Sequence, residues 1–234
     1  MSADRSALST VLTPIHKAGW PFIAGAFVLA VILGFLWQPL FWLGLIATAW
    51  CIYFFRDPSR VTPDDPMLVT SPADGLVQMI RLRQPPPEMG LGEEKLLCVS
   101  IFLNIFDVHV NRTPVPGRLL TRAYHPGKFL NAAADKASDL NERQSWLIEA
   151  ADGRKVGLVQ IAGLVARRIV SFVDSGVVLL PGDRVGLIRF GSRCDVYLPD
   201  GVEPLVIEGQ KALAGETIIA RLDGQQTSYR GRET

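Results

Sequence analysis

The chain has 234 residues, enough for one full globular core or for a core with a membrane anchor. Its formal net charge of +1, with no basic block and no aromatic-interleaved basic stripe, removes the case for a nucleic-acid partner. Cys51, Cys98 and Cys194 are odd in number and far apart, so no disulfide framework or zinc spacing is visible and a reducing compartment is expected.

In chain order, a short segment, 1–17, precedes a run, 18–55, that holds no Asp, Glu, Lys or Arg. The run divides at Trp37-Gln38-Pro39 into two apolar stretches, 20–36 and 40–55. A straight membrane span takes about 20 apolar residues, so the whole is too long for one span and each half slightly short. A hairpin of two short membrane-embedded helices is the preferred reading. Arg5 and Lys17 before the run and Arg56 and Arg60 after it put both ends, and the domain that follows, on the cytoplasmic side of the cell membrane. The run is too long for a cleaved signal peptide and lacks a small-residue cleavage site at a sensible distance.

Residues 56–66, rich in Pro and charge, form a linker, and 67–234 form the soluble domain. Short Val/Ile/Leu-rich runs at 67–70, 76–80, 97–103, 118–124, 146–149, 155–161, 168–172, 184–190, 195–198 and 217–222 are separated by Gly, Pro and Asp. Many short strands punctuated by turns predict a compact, largely antiparallel β domain, so the fold class is mainly β (α+β) behind an N-terminal helical segment. Residues 128–138 are the main helix candidate, 84–94 a mobile surface loop, and 223–234 a frayed end.

Gly191-Ser192 lies between the apolar runs 185–190 and 196–198, which predicts a serine at a strand junction; alone, the pair also fits a hairpin turn. Two more breaker-rich strand ends carry proton-transfer groups: Asp74 in Ser71-Pro72-Ala73-Asp74-Gly75, and His109 in Asp107-Val108-His109-Val110-Asn111-Arg112-Thr113-Pro114. A serine nucleophile needs a base oriented by a third group. His16 precedes the apolar run and His125 sits in a turn, which leaves His109 as the candidate base. Taken without further context, Asp74 equally fits a turn cap and His109 a structural histidine.

These segments, with Tyr53-Phe54-Phe55-Arg56-Asp57-Pro58 and Phe190-Gly191-Ser192, resemble the phosphatidylserine decarboxylase family in its short bacterial form, over about 53–220. The resemblance implies self-cleavage between Gly191 and Ser192 into a large β chain, 1–191, and a small α chain, 192–234, which stay together as a heterodimer and leave a higher oligomer open. It implies that Ser192 becomes a pyruvoyl group, which takes the substrate amine as a Schiff base and serves as electron sink, so that neither pyridoxal phosphate nor a metal is needed. The implied substrate is phosphatidylserine in the membrane, converted to phosphatidylethanolamine with loss of carbon dioxide. Ser192, Asp74 and His109 are the implied catalytic residues. Longer members carry two histidines three residues apart, and here the second position is Arg112. The division of labour of His109 between maturation and decarboxylation therefore stays open, and Arg112 is a candidate for binding substrate phosphate or carboxylate, with a surface salt bridge as its alternative.

Two other functional classes compete. Residues 202–217 are similar to the turn-rich strands of biotinyl and lipoyl carriers, with Lys211 as the attachment candidate but no methionine beside it. A serine hydrolase could use Ser192, His109 and Asp74 uncleaved, yet Phe190 and Cys194 stand where Gly-x-Ser-x-Gly needs glycines. Phe129 and Phe190 read as core aromatics before they read as a lining for acyl chains.

Overall fold

A computed structural model describes residues 13–127, 141–163, 168–189 and 192–224. The helix expected at 128–138, Phe129, Phe190, Gly191 and the end of the chain from 225 lie outside the described residues. The chain divides into two compact units, Met1–Ser59 and Arg60–Thr234.

The first unit is a pair of helices, α1 (Trp20–Leu36) and α2 (Gln38–Phe54). Trp37 between them is extended (φ −163°) and Pro39 stands in the first turn of α2, where its missing N–H costs nothing. The helices meet through small residues: a Cβ on Gly44 would collide with Ala30, and one on Gly34 would lie 2.9 Å from Phe41. Outward faces carry exposed Phe27, Leu29, Ile32, Trp42, Leu43 and Ile46, an apolar surface that water does not favour. With the turn before α1, Lys17–Leu36 is long and apolar enough to cross a membrane, whereas α2 is shorter at 17 residues.

The second unit is built from strands β1 (Leu68–Thr70), β2 (Gly75–Arg83), β3 (Leu96–Leu103), β4 (Val110–Arg112), β5 (Gly117–His125), β6 (Arg143–Glu149), β7 (Lys155–Ala162), β8 (Ile169–Ser171), β9 (Val178–Leu179), β10 (Arg184–Ile188), β11 (Ser192–Tyr197), β12 (Lys211–Ala212) and β13 (Ile218–Arg221). They form an eight-stranded sheet in the order β12-β2-β3-β11-β7-β6-β5-β9, a three-stranded sheet β4-β10-β8, and the pair β1-β13. Every strand pairing among the described residues is antiparallel, in agreement with the expected largely antiparallel β domain.

The inner face of the large sheet contributes Val99, Ile101, Trp146, Leu158, Cys194 and Val196 to one core with Val185 and Ile188 of β10 and Ile169 of β8. A buried polar link crosses that core. Trp146 Nε1 donates to Gln160 Oε1 (2.9 Å), and Gln160 Nε2 donates to Asn111 Oδ1 on β4 (2.7 Å). Gly186 leaves room for it, since a Cβ there would lie 2.9 Å from Gln160 Nε2.

The outer face differs from the sequence reading twice. The segment 84–94, expected to be a mobile loop, packs onto the sheet: Met89 is buried with Cys98, Val159, Ile161 and Tyr197. Beside it Glu88 Oε1 accepts from Arg143 Nε (2.7 Å) and Ser145 Oγ (3.0 Å). Burial opposes ionisation of Glu88, but those hydrogen bonds and the Arg143 charge outweigh it and hold its carboxyl below the usual range. The second difference is β11 itself, which starts at Ser192 rather than at 195. Arg193 and Asp195 look like interruptions in sequence, but they alternate with Cys194 and Val196 and share the outer face with Tyr197. Both side chains are fully buried, with Arg193 Nε 2.9 Å from Asp195 Oδ1 and Nη2 donating to Oδ2 at 3.0 Å.

Removing one partner of such a pair leaves an uncompensated buried charge. Arg193→Ala is expected to cost about 3–5 kcal/mol, read as a lowered Tm in thermal unfolding, whereas Arg154→Ala, half-buried and paired with Asp152 in a surface turn, should cost no more than about 1 kcal/mol.

Candidate active site

Ser192 stands where the chain passes from one sheet into another. β10 runs between β4 and β8 of the small sheet, and β11 runs between β3 and β7 of the large one. The two strands do not pair with each other, so the hairpin reading of Gly191-Ser192 does not hold and Ser192 is not at a tip. It opens a central strand, opposite Leu103 on one side and Ala162 on the other. Ser192 is fully buried, on the same face as Cys194 and Val196, and its Oγ has no hydrogen-bond partner among the described residues. A buried hydroxyl without a partner costs about 1–3 kcal/mol, a cost that asks for a functional reason.

His109 lies just past the end of β3, on the segment that leads into β4. Leu103, which pairs with Ser192, starts that connection, and Ile188 N donates back to His109 O at 3.2 Å. The backbone of His109 is thereby tied to the last residue of β10, four positions before Ser192. The ring is fully buried, and Nδ1 lies 2.9 Å from Asp107 O. A carbonyl only accepts, so Nδ1 carries the hydrogen and Nε2 is the nitrogen left to take up a proton.

Asp74 is buried in the turn between β1 and β2, and it is more than a turn cap. Oδ1 accepts from Ala214 N (2.8 Å) and Oδ2 from Arg60 Nη2 (2.6 Å). Burial pushes its carboxyl above the usual range, the Ala214 amide and Arg60 oppose that, and the Asp107 charge adds to it. The same turn is fastened to β4, since Arg112 N donates to Pro72 O at 2.9 Å. The pairings Leu76↔Phe102↔Arg193 put Asp74 at the end of β2 two strand spacings, on the order of 10 Å, from the start of β11. The structure thus gathers Asp74, His109 and Ser192 at one corner of the domain.

Residues 47–220 match the family model for phosphatidylserine decarboxylase. A phosphatidylserine decarboxylase proenzyme of Beijerinckia indica subsp. indica is 57% identical over 215 residues, 92% of this chain and 92% of that protein. The chain belongs to the phosphatidylserine decarboxylase family. It is therefore an enzyme and a decarboxylase, and family membership replaces both the carrier and the hydrolase alternatives. Lys211, the carrier candidate, is an exposed residue that opens β12 against Leu76.

Within this decarboxylase, Arg112 is buried rather than set in a surface salt bridge: Nη1 donates to Gly182 O at 2.6 Å, and its stem lies against Gly215. The closest fit is to a bracket between the turn before β10 and the turn after β12. Arg60 has more to do than its sequence suggested, where it read only as a charge following the apolar run; it neutralises Asp74 and approaches Glu216 Oε2 at 4.0 Å. Asp107 was also missed, although its position two residues before His109 in a breaker-rich segment was the available signal. Burial pushes the Cys98 and Cys194 thiols well above their usual range, and the Asp195 charge adds to it, so neither supplies a thiolate. Among the described residues no group of three His, Cys, Asp or Glu could hold a metal ion.

If the chain matures by cleaving itself and ionised Asp74 is needed for that step, cleavage should fail on acidification at a midpoint above the ordinary carboxylate value of about 3.9. Arg60→Gln removes a cation that favours the carboxylate and should move that midpoint to still higher pH. The rate at which the full chain becomes two fragments, followed across pH, checks both expectations; an unmoved midpoint assigns it to another group.

Proposed function

We propose that the chain is made as a proenzyme, cleaves itself between Gly191 and Ser192, and then decarboxylates phosphatidylserine to phosphatidylethanolamine from the new terminus at 192. The observation that carries this reading is the buried Ser192 Oγ with no partner among the described residues, at the crossing between two sheets in a chain of this family. The proenzyme name of the 57% identical relative supports the processing step.

In the maturation step His109 Nε2 takes the Ser192 hydroxyl proton while Asp74 supports the charge that forms. Oγ bonds to the Gly191 carbonyl carbon and the Gly191–Ser192 C–N bond breaks, leaving an ester and a free amine. Elimination across Cα–Cβ of residue 192 releases Gly191 as a carboxylate, and water then replaces the nitrogen, which leaves as ammonia. A glycine before the serine leaves its carbonyl open to attack. The products are 1–191 and 192–234, held together because β11 of the small chain is central in a sheet made mostly by the large one.

An unpartnered, buried position for the 192 side chain fits a pyruvoyl group, which when formed supplies an electron sink for the carbanion left by carbon dioxide. His109 then remains beside the reacting carbon to return a proton. The unit of α1 and α2 is read as the anchor, residues 18–55, with 56–66 as linker and 67–234 as a cytoplasmic catalytic domain. A lipid head group stays at the interface, so an enzyme held there meets a high local substrate concentration.

Intact mass measurement is the direct test. The wild-type protein should give two fragments, the smaller beginning at 192 without a free amino group, and Ser192→Ala should give one full-length, inactive chain. A full-length Ser192→Ala protein that releases carbon dioxide would falsify the proposal. In any fraction of His109→Ala that matures, turnover at saturating substrate should fall ~10²- to 10⁴-fold. Near-normal turnover there would confine His109 to maturation.

A further inference from the structure

The steps above leave one charged cavity unused. It measures about 660 Å³ and is lined by Arg122, Tyr124 and Gln144 of the large sheet and by Arg168 and Arg189 at the ends of β8 and β10. Its position follows from the registers. Arg189 N donates to Arg168 O at 3.3 Å, one step beyond the Ile188↔Ile169 pair and on the side toward Ser192. Across the core, Gln144 pairs with Gln160, and Gln160 with Cys194. Gln144 is thus two strands from β11, on the same inner face as Ser192, on the order of 10 Å away.

Arg122 Nη2 is paired with Asp174 Oδ1 at 2.9 Å, and the Glu142 carboxylate is held by the Tyr124 hydroxyl and by Ile169 N (3.1 Å). Arg168 and Arg189 stand side by side with like charge; burial and then the Arg168 charge hold Arg189 below the usual arginine range. Gln144 is 5% exposed, and its Nε2 donor has no partner among the described residues. Two guanidinium groups and an unmatched amide donor around one cavity make a site for an anion with several acceptor oxygens.

We propose that this cavity takes the phosphodiester group of the phospholipid, with Arg168 and Arg189 on its non-bridging oxygens and Gln144 Nε2 as the neutral donor. The inference rests on the decarboxylase reading and specifies how that substrate is held. The carboxylate is the poorer occupant, because it must leave as neutral carbon dioxide. Two arginines on it would stabilise the ground state more than the transition state and slow the step. Holding the phosphodiester instead fixes the serine head at residue 192 with its carboxylate outside the cationic clamp.

The test compares KM and kcat of the matured enzyme on phosphatidylserine in mixed micelles, with glycerophosphoethanolamine, which lacks the carboxylate, as competitive inhibitor. Arg168 is exposed, so Arg168→Gln should fold, and wild-type conversion into two chains verifies that it does. It should raise KM about 10-fold or more and raise the inhibition constant in step, with kcat within about twofold. Arg189→Gln should do the same, and Arg154→Gln, a surface residue paired with Asp152, should change neither constant. An unchanged KM in Arg168→Gln overturns the proposal. So does a raised KM with an unchanged inhibition constant, which would assign the arginine to the carboxylate. Failure of the wild-type enzyme to release carbon dioxide would sink the decarboxylase reading separately, since binding of glycerophosphoethanolamine can still be measured calorimetrically on that protein and on Arg168→Gln.

Discussion

The passage of one chain from a small sheet into the middle of a large one, across residues 189–191, is the constraint on which the rest depends. β10 is fixed on both edges by β4 and β8, and β11 on both edges by β3 and β7, so neither end of the connection can relax. The strands that flank this connection are thus held by pairing within two different sheets. The same pairing orders the neighbours: Ile188 holds the His109 backbone, Leu103 both faces Ser192 and begins the segment that carries His109, and Pro72 fastens the Asp74 turn to β4.

Buried polar groups divide into two kinds in this domain. Most are matched: the Trp146–Gln160–Asn111 chain ties the sheets across the core, Arg193 and Asp195 neutralise each other on the outer face, and Glu88 is locked to Arg143 and Ser145. These connections fix register and hold the segment 84–94 down. The corner at the start of β11 is different in kind. Ser192 Oγ is left over among the described residues, and Asp74 is burdened by its burial even with Arg60 and Ala214 in contact. Rigid matched surroundings are what allow such a hydroxyl to persist without local collapse around it.

The two units present unlike surfaces. Around Trp146 the apolar side chains turn inward and are hidden, whereas along α1 and α2 they turn outward, as Phe35, Trp42 and Ile46 do. Such an outward apolar surface is stable only when something other than water covers it, which agrees with a substrate that resides in a bilayer.

The sequence by itself determined the class of the fold and the two apolar helices, and it singled out Asp74, His109 and Ser192 as candidates, because strand periodicity, an uncharged run and breaker-rich strand ends are local signals. It could not determine that Gly191-Ser192 joins two sheets instead of capping a hairpin, since partners of β10 and β11 lie up to 99 positions away in sequence, as Tyr197 and Cys98 do. Nor could it assign Arg60 to Asp74, bury Arg193 with Asp195, seat Met89 on the sheet, or gather Gln144, Arg168 and Arg189 around one cavity. Each of those is a contact between segments distant in sequence, and only the tertiary structure decides which long side chains meet one another and which line a common cavity.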